Sequence, residues 1–343
     1  MKISRTPNKE RLLNALYGRV PDHIPLIELG IHPVIKKELM GKDIFSLQDE
    51  IEFMGRYCYD FVKIQPGFNM DISYRKFTHG EKSASGASSD RSWAVESQGV
   101  ISTFDDLEKF PWPRISDIDF RRFDEAEKIV PDNMAVIGQY GDIFTLVWEM
   151  MGFENFAVAL YTDPELIESA FNRVSELIIP MFESMAQRDK VDILWYSDDI
   201  AFVNGPMLSP EHLKQYFFPL LKRIGDIASK YNKPLIYHSD GDLRPVFEDI
   251  IDCGVTALHP IEPKAMSIFE VSDTLKGKIS VCGGIDLDLL SRGEPHQVEQ
   301  LVRGFAEHFK ERGGWSAGSS NSIPEYVKTE NYLKIIETIV KYG

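Results

Sequence analysis

Eight short apolar runs, separated by longer segments with helical periodicity, constrain this chain more than any other feature. They read Ile24–Gly30, Phe61–Gly67, Met134–Gly141, Asp192–Ile200, Pro234–His238, Thr256–Ile261, Ile279–Gly284 and Gly314–Gly318. Most are nearly continuous in apolar character, the pattern of parallel strands covered on both faces. The segments between them open on recognisable caps. Thr162-Asp163-Pro164 starts a long amphipathic run to about Arg188, and Ser209-Pro210-Glu211 starts one ending near Tyr231. The last segment, Val327–Val340, carries Tyr332, Ile335, Ile336 and Ile339 at helical spacing. Eight strands alternating with helices predict an α/β fold, the closed (β/α)8 TIM barrel, as a single domain over residues 1–343. Residues 70–112 break the pattern. His79 to Ser92 is polar and rich in Ser and Gly, and Trp93–Thr103 alternates like a hairpin, so an insertion after the second strand is predicted.

Composition narrows the function. A formal charge of −15 argues against a general nucleic-acid binder, which gains affinity by neutralising phosphates with Lys and Arg. The three cysteines, Cys58, Cys253 and Cys282, are odd in number and widely spaced, which is no disulfide framework and suits a reducing cytosol. No run of about 18 apolar residues occurs and the N-terminus has no apolar core of a signal peptide, so a soluble, cytoplasmic protein is expected, away from membranes.

In a barrel of this kind the C-terminal strand ends face one cavity, and chemistry gathers there. Those ends carry Glu28, Gln65, Gln139, Tyr140, Asp142, Tyr196, Asp198, Asp199, His238, Asp240, Asp242, His259, Glu262, Cys282, Asp286, Ser319, Ser320 and Asn321. Within Tyr237-His238-Ser239-Asp240, the histidine and the aspartate are two apart, so their side chains point to the same side of an extended segment. With Cys282 as third ligand the pair makes a credible zinc site. Alternatively Asp240 orients His238 for proton transfer, or the two residues merely cap the strand and the helix after it. Asp198 and Asp199 are adjacent, so at most one enters the cavity while the other caps a turn; with Tyr196 they are the acid/base candidates. Glu28, Gln139, Tyr140, His259 and Asn321 are the candidate substrate-binding residues. Cys58 and Cys253 are assigned to packing.

Several motifs taken together resemble the uroporphyrinogen decarboxylase superfamily: Pro206-Met207-Leu208-Ser209-Pro210-Glu211, His238-Ser239-Asp240-Gly241, Cys282-Gly283-Gly284-Ile285-Asp286 and Glu330-Asn331-Tyr332. Arg19-Val20-Pro21-Asp22-His23-Ile24-Pro25 fits too, as does Met151-Gly152-Phe153-Glu154 before Asp163-Pro164-Glu165. The superfamily includes the haem-pathway decarboxylase and zinc-dependent cobamide methyltransferases. The decarboxylase has an N-terminal Arg-Gln-Ala-Gly-Arg stretch whose arginines grip substrate carboxylates. Here Ile27-Glu28-Leu29-Gly30-Ile31-His32-Pro33 has no arginine and supplies an acid. The similar methyltransferases hold zinc with a His-x-Cys pair and a later Cys. Here His238 matches the histidine, Asp240 stands where the first Cys would be, and the last strand offers Ser319-Ser320.

The resemblance therefore implies a corrinoid-dependent methyltransferase component. It would move a methyl group between a small O- or N-methylated substrate and a cobamide carried by a separate corrinoid-binding protein. Zinc would act as a Lewis acid on the methyl-bearing heteroatom. The alternatives are a decarboxylase of a porphyrinogen-like or other carboxylic acid, and a non-catalytic tetrapyrrole-binding barrel. Assembly as a homo-oligomer stays open.

Overall fold

The computed structural model of the chain describes residues 5–67 and 99–343. Seven of the apolar runs form one parallel sheet: β1 (Phe61–Ile64), β2 (Ala135–Gly141), β3 (Ile193–Ser197), β4 (Leu235–His238), β5 (Ala257–His259), β6 (Ser280–Cys282) and β7 (Trp315–Ser316). Their order in the sheet is their order in the chain, so every connection steps in the same direction and the sheet curls.

The eighth run, expected as the strand Ile24–Gly30, is reduced to a bridge between Leu26 and Ala317 beyond β7. Two bonds hold it, Ile27 N–H to the Ala317 carbonyl and Ala317 N–H to the Pro25 carbonyl, both 2.8 Å. The ladder stops there because Pro25 has no N–H to give and the Ile24 amide is turned to the carbonyl of Gly343. Close approach of the segment requires glycine at 318, where a Cβ would sit 1.9 Å from the Ile27 carbonyl oxygen. Among the described residues no backbone ladder joins this segment to β1. The link is a side-chain one, the Lys63 ammonium donating to the Leu29 carbonyl.

The helices form where the caps predict them. Asp163 accepts from the Leu166 amide at 3.2 Å and opens Pro164–Ala186. Ser209 opens Pro210–His212, but the chain then widens into a π-turn over Leu213–Phe217 before Phe218–Lys230. Pro219, without an N–H, sits at the start of that second helix. The final helix is Thr329–Tyr342. No single helix among the described residues is long and apolar enough to cross a membrane. Of the expected insertion, 70–98 lies outside the described residues; the rest carries the helix Phe104–Lys109.

Register fixes which side chains face inward. Tyr140, Tyr196 and Tyr237 align across β2, β3 and β4, and Tyr196 meets the helix-borne rings of Phe182 and Phe217. That face looks out toward the helices. Ser197, His238 and His259 align one residue later and look inward, together with Gln139, Trp195 and Cys282.

Candidate metal and active site

The inward row ends in a cluster built by β3 and β4. His238 is only 6 % exposed, yet the carboxylate of Asp199 beside it is half exposed and gives the ring an edge toward solvent. The His238 Nε2 lies 3.6 Å from Asp199 Oδ1, and the Asp240 amide donates to the same oxygen at 2.8 Å. Asp240, two residues past His238, lies on its side as the spacing predicts. The loop turns back at once because Gly241 adopts φ +88°, where a Cβ would meet the Phe202 carbonyl oxygen at 2.6 Å.

One ligand atom from each of Asp199, His238 and Asp240 lies within 4.8 Å of the others, the one such cluster among the described residues. Asn321 Nδ2 donates to Asp240 Oδ2 at 2.7 Å, which orients the carboxyl, while Asp240 Oδ1 is buried without a partner. Burial, then Asp199 and Glu262, push the Asp240 carboxyl well above the usual range, against the Asn321 bond. A buried acid with an unused oxygen and two acidic neighbours lacks a counter-charge. Oxygen and imidazole donors in this number fit a divalent cation such as zinc.

Behind His238, its Nδ1 lies 2.8 Å from Nδ1 of His259, which is fully buried and packed at 4.8 Å against the Trp195 ring. Burial lowers both imidazoles, with Asp199 opposing the effect at His238, so both are neutral and share one hydrogen between the facing nitrogens. For His238 Nε2 to offer a lone pair to a cation, Nδ1 must carry that hydrogen and donate it to His259.

Other expected residues lie elsewhere. Cys282 faces inward but does not join the cluster. It is two strands from β4, with His259 between, and strands are spaced about 4.8 Å. It is fully enclosed and burial pushes its thiol up to about 12; the third member of the cluster is Asp199 rather than the expected Cys282. Asp198 and Tyr196 belong to the helix-facing side. Asp198 accepts from the Phe144 and Thr145 amides at 2.6 and 2.9 Å, from Thr145 Oγ1 at 2.8 Å and from the Tyr196 hydroxyl at 2.5 Å. It therefore caps the helix Ile143–Met151, whose own N-cap residue, Asp142, makes no capping bond. Burial pushes Asp198 up to about 6 against these bonds. Tyr140 shares that outward face.

Gln139 is inward, accepting from Gln65 at 2.8 Å and donating to Ser197 Oγ at 2.9 Å. Glu28 is buried and lines a cavity with Lys63; Ser319 N–H donates to its Oε1 at 3.1 Å and Ser319 Oγ meets its Oε2. Sequence reasoning missed Lys63, whose Nζ lies 5.1 Å from the Trp195 ring centre. The signal was there: a single lysine in an apolar strand, two residues from Gln65 and so on its face. Cys58 and Cys253 are buried, the latter donating to the Phe218 carbonyl.

No curated protein matches the chain in sequence. Among solved structures, a methyltransferase from Methanosarcina mazei superposes with a TM-score of 0.68 at 16% identity, covering 98% of this chain and 99% of that one. At this identity the likeness is one of fold. A glycosylated endo-β-1,4-xylanase from Gloeophyllum trabeum gives a TM-score of 0.43 at 8% identity, over 67% of this chain and 83% of the xylanase. The family model described as "Uroporphyrinogen decarboxylase (URO-D)" matches residues 100–342, well over half of the chain, and the chain belongs to that family.

Proposed function

We propose that the chain is a methyltransferase of the uroporphyrinogen decarboxylase superfamily, transferring a methyl group between a small O- or N-methylated substrate and a cobamide presented by a partner protein. The observation that carries this reading is the Asp199, His238 and Asp240 cluster, with one buried carboxylate oxygen left unpartnered at the inward strand ends. The full-length superposition on a methyltransferase supports it. The cluster sits at the C-terminal ends of the curled seven-stranded sheet, where folds of this kind carry their chemistry.

Asp199, His238 and Asp240 would hold zinc, which supplies Lewis acidity toward the methyl-bearing oxygen or nitrogen. Each remaining task falls to the chain. His259 accepts the Nδ1 hydrogen of His238 and so keeps Nε2 a lone-pair donor. Asn321 fixes the Asp240 carboxyl, and the Asp199 carboxylate turns the cluster toward solvent. A tetrapyrrole decarboxylase fits less well, because residues 27–33 supply the acid Glu28 and no arginine.

Elemental analysis of chain purified without chelator tests the scheme. About one zinc per chain is expected, lost in His238→Ala while the circular dichroism spectrum is unchanged. Methyl transfer to cob(I)alamin from methoxylated and N-methylated small molecules should require the metal. Metal-free protein with full turnover overturns the Lewis-acid role, and tetrapyrrole binding without any turnover overturns the enzyme reading.

A further inference from the structure

Beside Lys63, which lies against the Trp195 ring, is a cavity of about 350 Å³ lined among others by Glu28, Lys36, Glu50, Lys63, Gln65 and Arg122. It continues outward past Gln65 and Arg122, which also line the neighbouring surface hollow. Its charges do not balance. Lys36 is neutralised by both oxygens of Glu50 at 2.5 and 2.7 Å. Among the described residues Lys63 and Arg122 have no carboxylate partner, and the ammonium of Lys63 has only the Leu29 carbonyl and the face of Trp195.

Glu28 does not supply the missing charge. Ser319 Oγ touches two acceptors, Glu28 Oε2 and the Asn321 carbonyl, and has a single hydrogen. Shared between the two, that hydrogen gives Glu28 only part of a bond beside the Ser319 N–H. Burial outweighs these bonds and pushes Glu28 up to about 8, and it draws Lys63 down to about 7 with Lys36 adding repulsion, so an anion seated beside Lys63 would hold it as the ammonium.

We propose that Lys63, with Arg122 at the mouth, holds the carboxylate of the substrate, a small methoxylated or N-methylated carboxylic acid. An ammonium with spare N–H donors in a partly dry cavity is completed by one negative charge from outside. One partly buried ammonium matches the single charge of a carboxylate better than a phosphate dianion. A polar track leads from there toward the metal cluster. Gln65 donates to Gln139, Gln139 donates to Ser197, and Asp199 lies two residues further on the same face. A molecule anchored at Lys63 would therefore extend along the inward strand ends to the cluster. The identity of the anion as substrate rests on the function proposed above; the anion site does not.

The test is calorimetric titration of benzoate into the full chain after stripping with EDTA, so that neither zinc nor turnover enters. Saturable binding is expected, weakened at least tenfold in Lys63→Met. Inorganic phosphate should neither bind comparably nor displace benzoate. Equal affinity in Lys63→Met, no binding to the wild-type chain, or phosphate binding as tight as benzoate overturns the proposal. A second measurement needs no variant. Saturating benzoate should slow acetylation of Lys63 by acetic anhydride at least fivefold in peptide mass spectra of the wild-type chain, and unchanged labelling also overturns it.

Discussion

Replacing each of the adjacent aspartates by alanine should separate stability from metal binding. Asp198 is buried and its carboxylate accepts two backbone N–H groups, the Thr145 hydroxyl and the Tyr196 hydroxyl. Removing it leaves the Phe144 and Thr145 amides without acceptors at a buried helix start. Each orphaned buried group costs about 1–3 kcal/mol. Part of that is returned, because the desolvation that raises Asp198 to about 6 is relieved when the carboxylate is gone. A net loss of about 2–4 kcal/mol is expected for Asp198→Ala, above the usual loss of about 0.5–2 kcal/mol for a cap because two buried amides and two hydroxyls lose this acceptor together. Asp199 is different: its carboxylate is half exposed, accepts one bond, from the Asp240 amide, and lies 3.6 Å from His238 Nε2. Asp199→Ala should cost under about 1 kcal/mol.

Urea denaturation followed by far-ultraviolet circular dichroism reads the first quantity, and zinc retained per chain after dialysis reads the second. The expected pattern is a lowered midpoint with zinc retained in Asp198→Ala, and an unchanged midpoint with zinc lost in Asp199→Ala. The reverse pattern would mean that the two side chains face opposite to the register described here, and the cluster would fall with it.

Two further outcomes follow from the same geometry. Glu28 carries its proton to about 8 in the folded chain, against 4.5 for an ordinary glutamate, so the folded state keeps a proton that the unfolded state releases between those values. Stability is therefore lost as pH rises from about 4.5 to about 8, by up to about 1.4 kcal/mol per unit from this group. Glu28→Gln mimics the neutral acid and should gain on the wild-type chain as pH rises from 5 to 8 in denaturation midpoints; parallel curves would show that Glu28 is ionised. Cys282→Ala should keep its zinc, since the thiol lies two strands from β4, and loss of metal there would restore the cysteine as a ligand.

How far the site was legible in the sequence depended on whether a question was local. The two-residue period placed Asp240 beside His238 and set Asp198 against Asp199, because alternation along one strand needs no knowledge of its neighbours. It could not say which aspartate turned inward. That was decided by the helix Ile143–Met151, which needs an outside acceptor for its first amides and receives Asp198. Cys282 was misplaced for a related reason: strand order sets how far apart two strand ends lie, and that distance is not written in either segment. The first run failed as a strand because Pro25 removes a ladder donor, a signal visible in the chain but outweighed by its apolar neighbours.

The two halves of the interior are complementary in charge, and this bears on the chemistry they can share. Asp199, Asp240 and Glu262 gather acidity beside the His238 and His259 pair, while Lys63 lies against Trp195 in the cavity with the exposed Arg122 at its mouth. If the two clusters served only to stabilise each other, direct ion pairs would join them, since a buried charge is costly without a partner in contact. None does among the described residues, and the Trp195 ring touches both Lys63 and His259. Each cluster therefore calls for its own counter-charge from outside, a cation for the acids and an anion for the lysine. A metal-dependent reaction on a carboxylate-bearing methyl donor supplies both at once. A neutral substrate would leave Lys63 uncompensated, so affinity within a substrate series should follow the carboxylate rather than the methylated end.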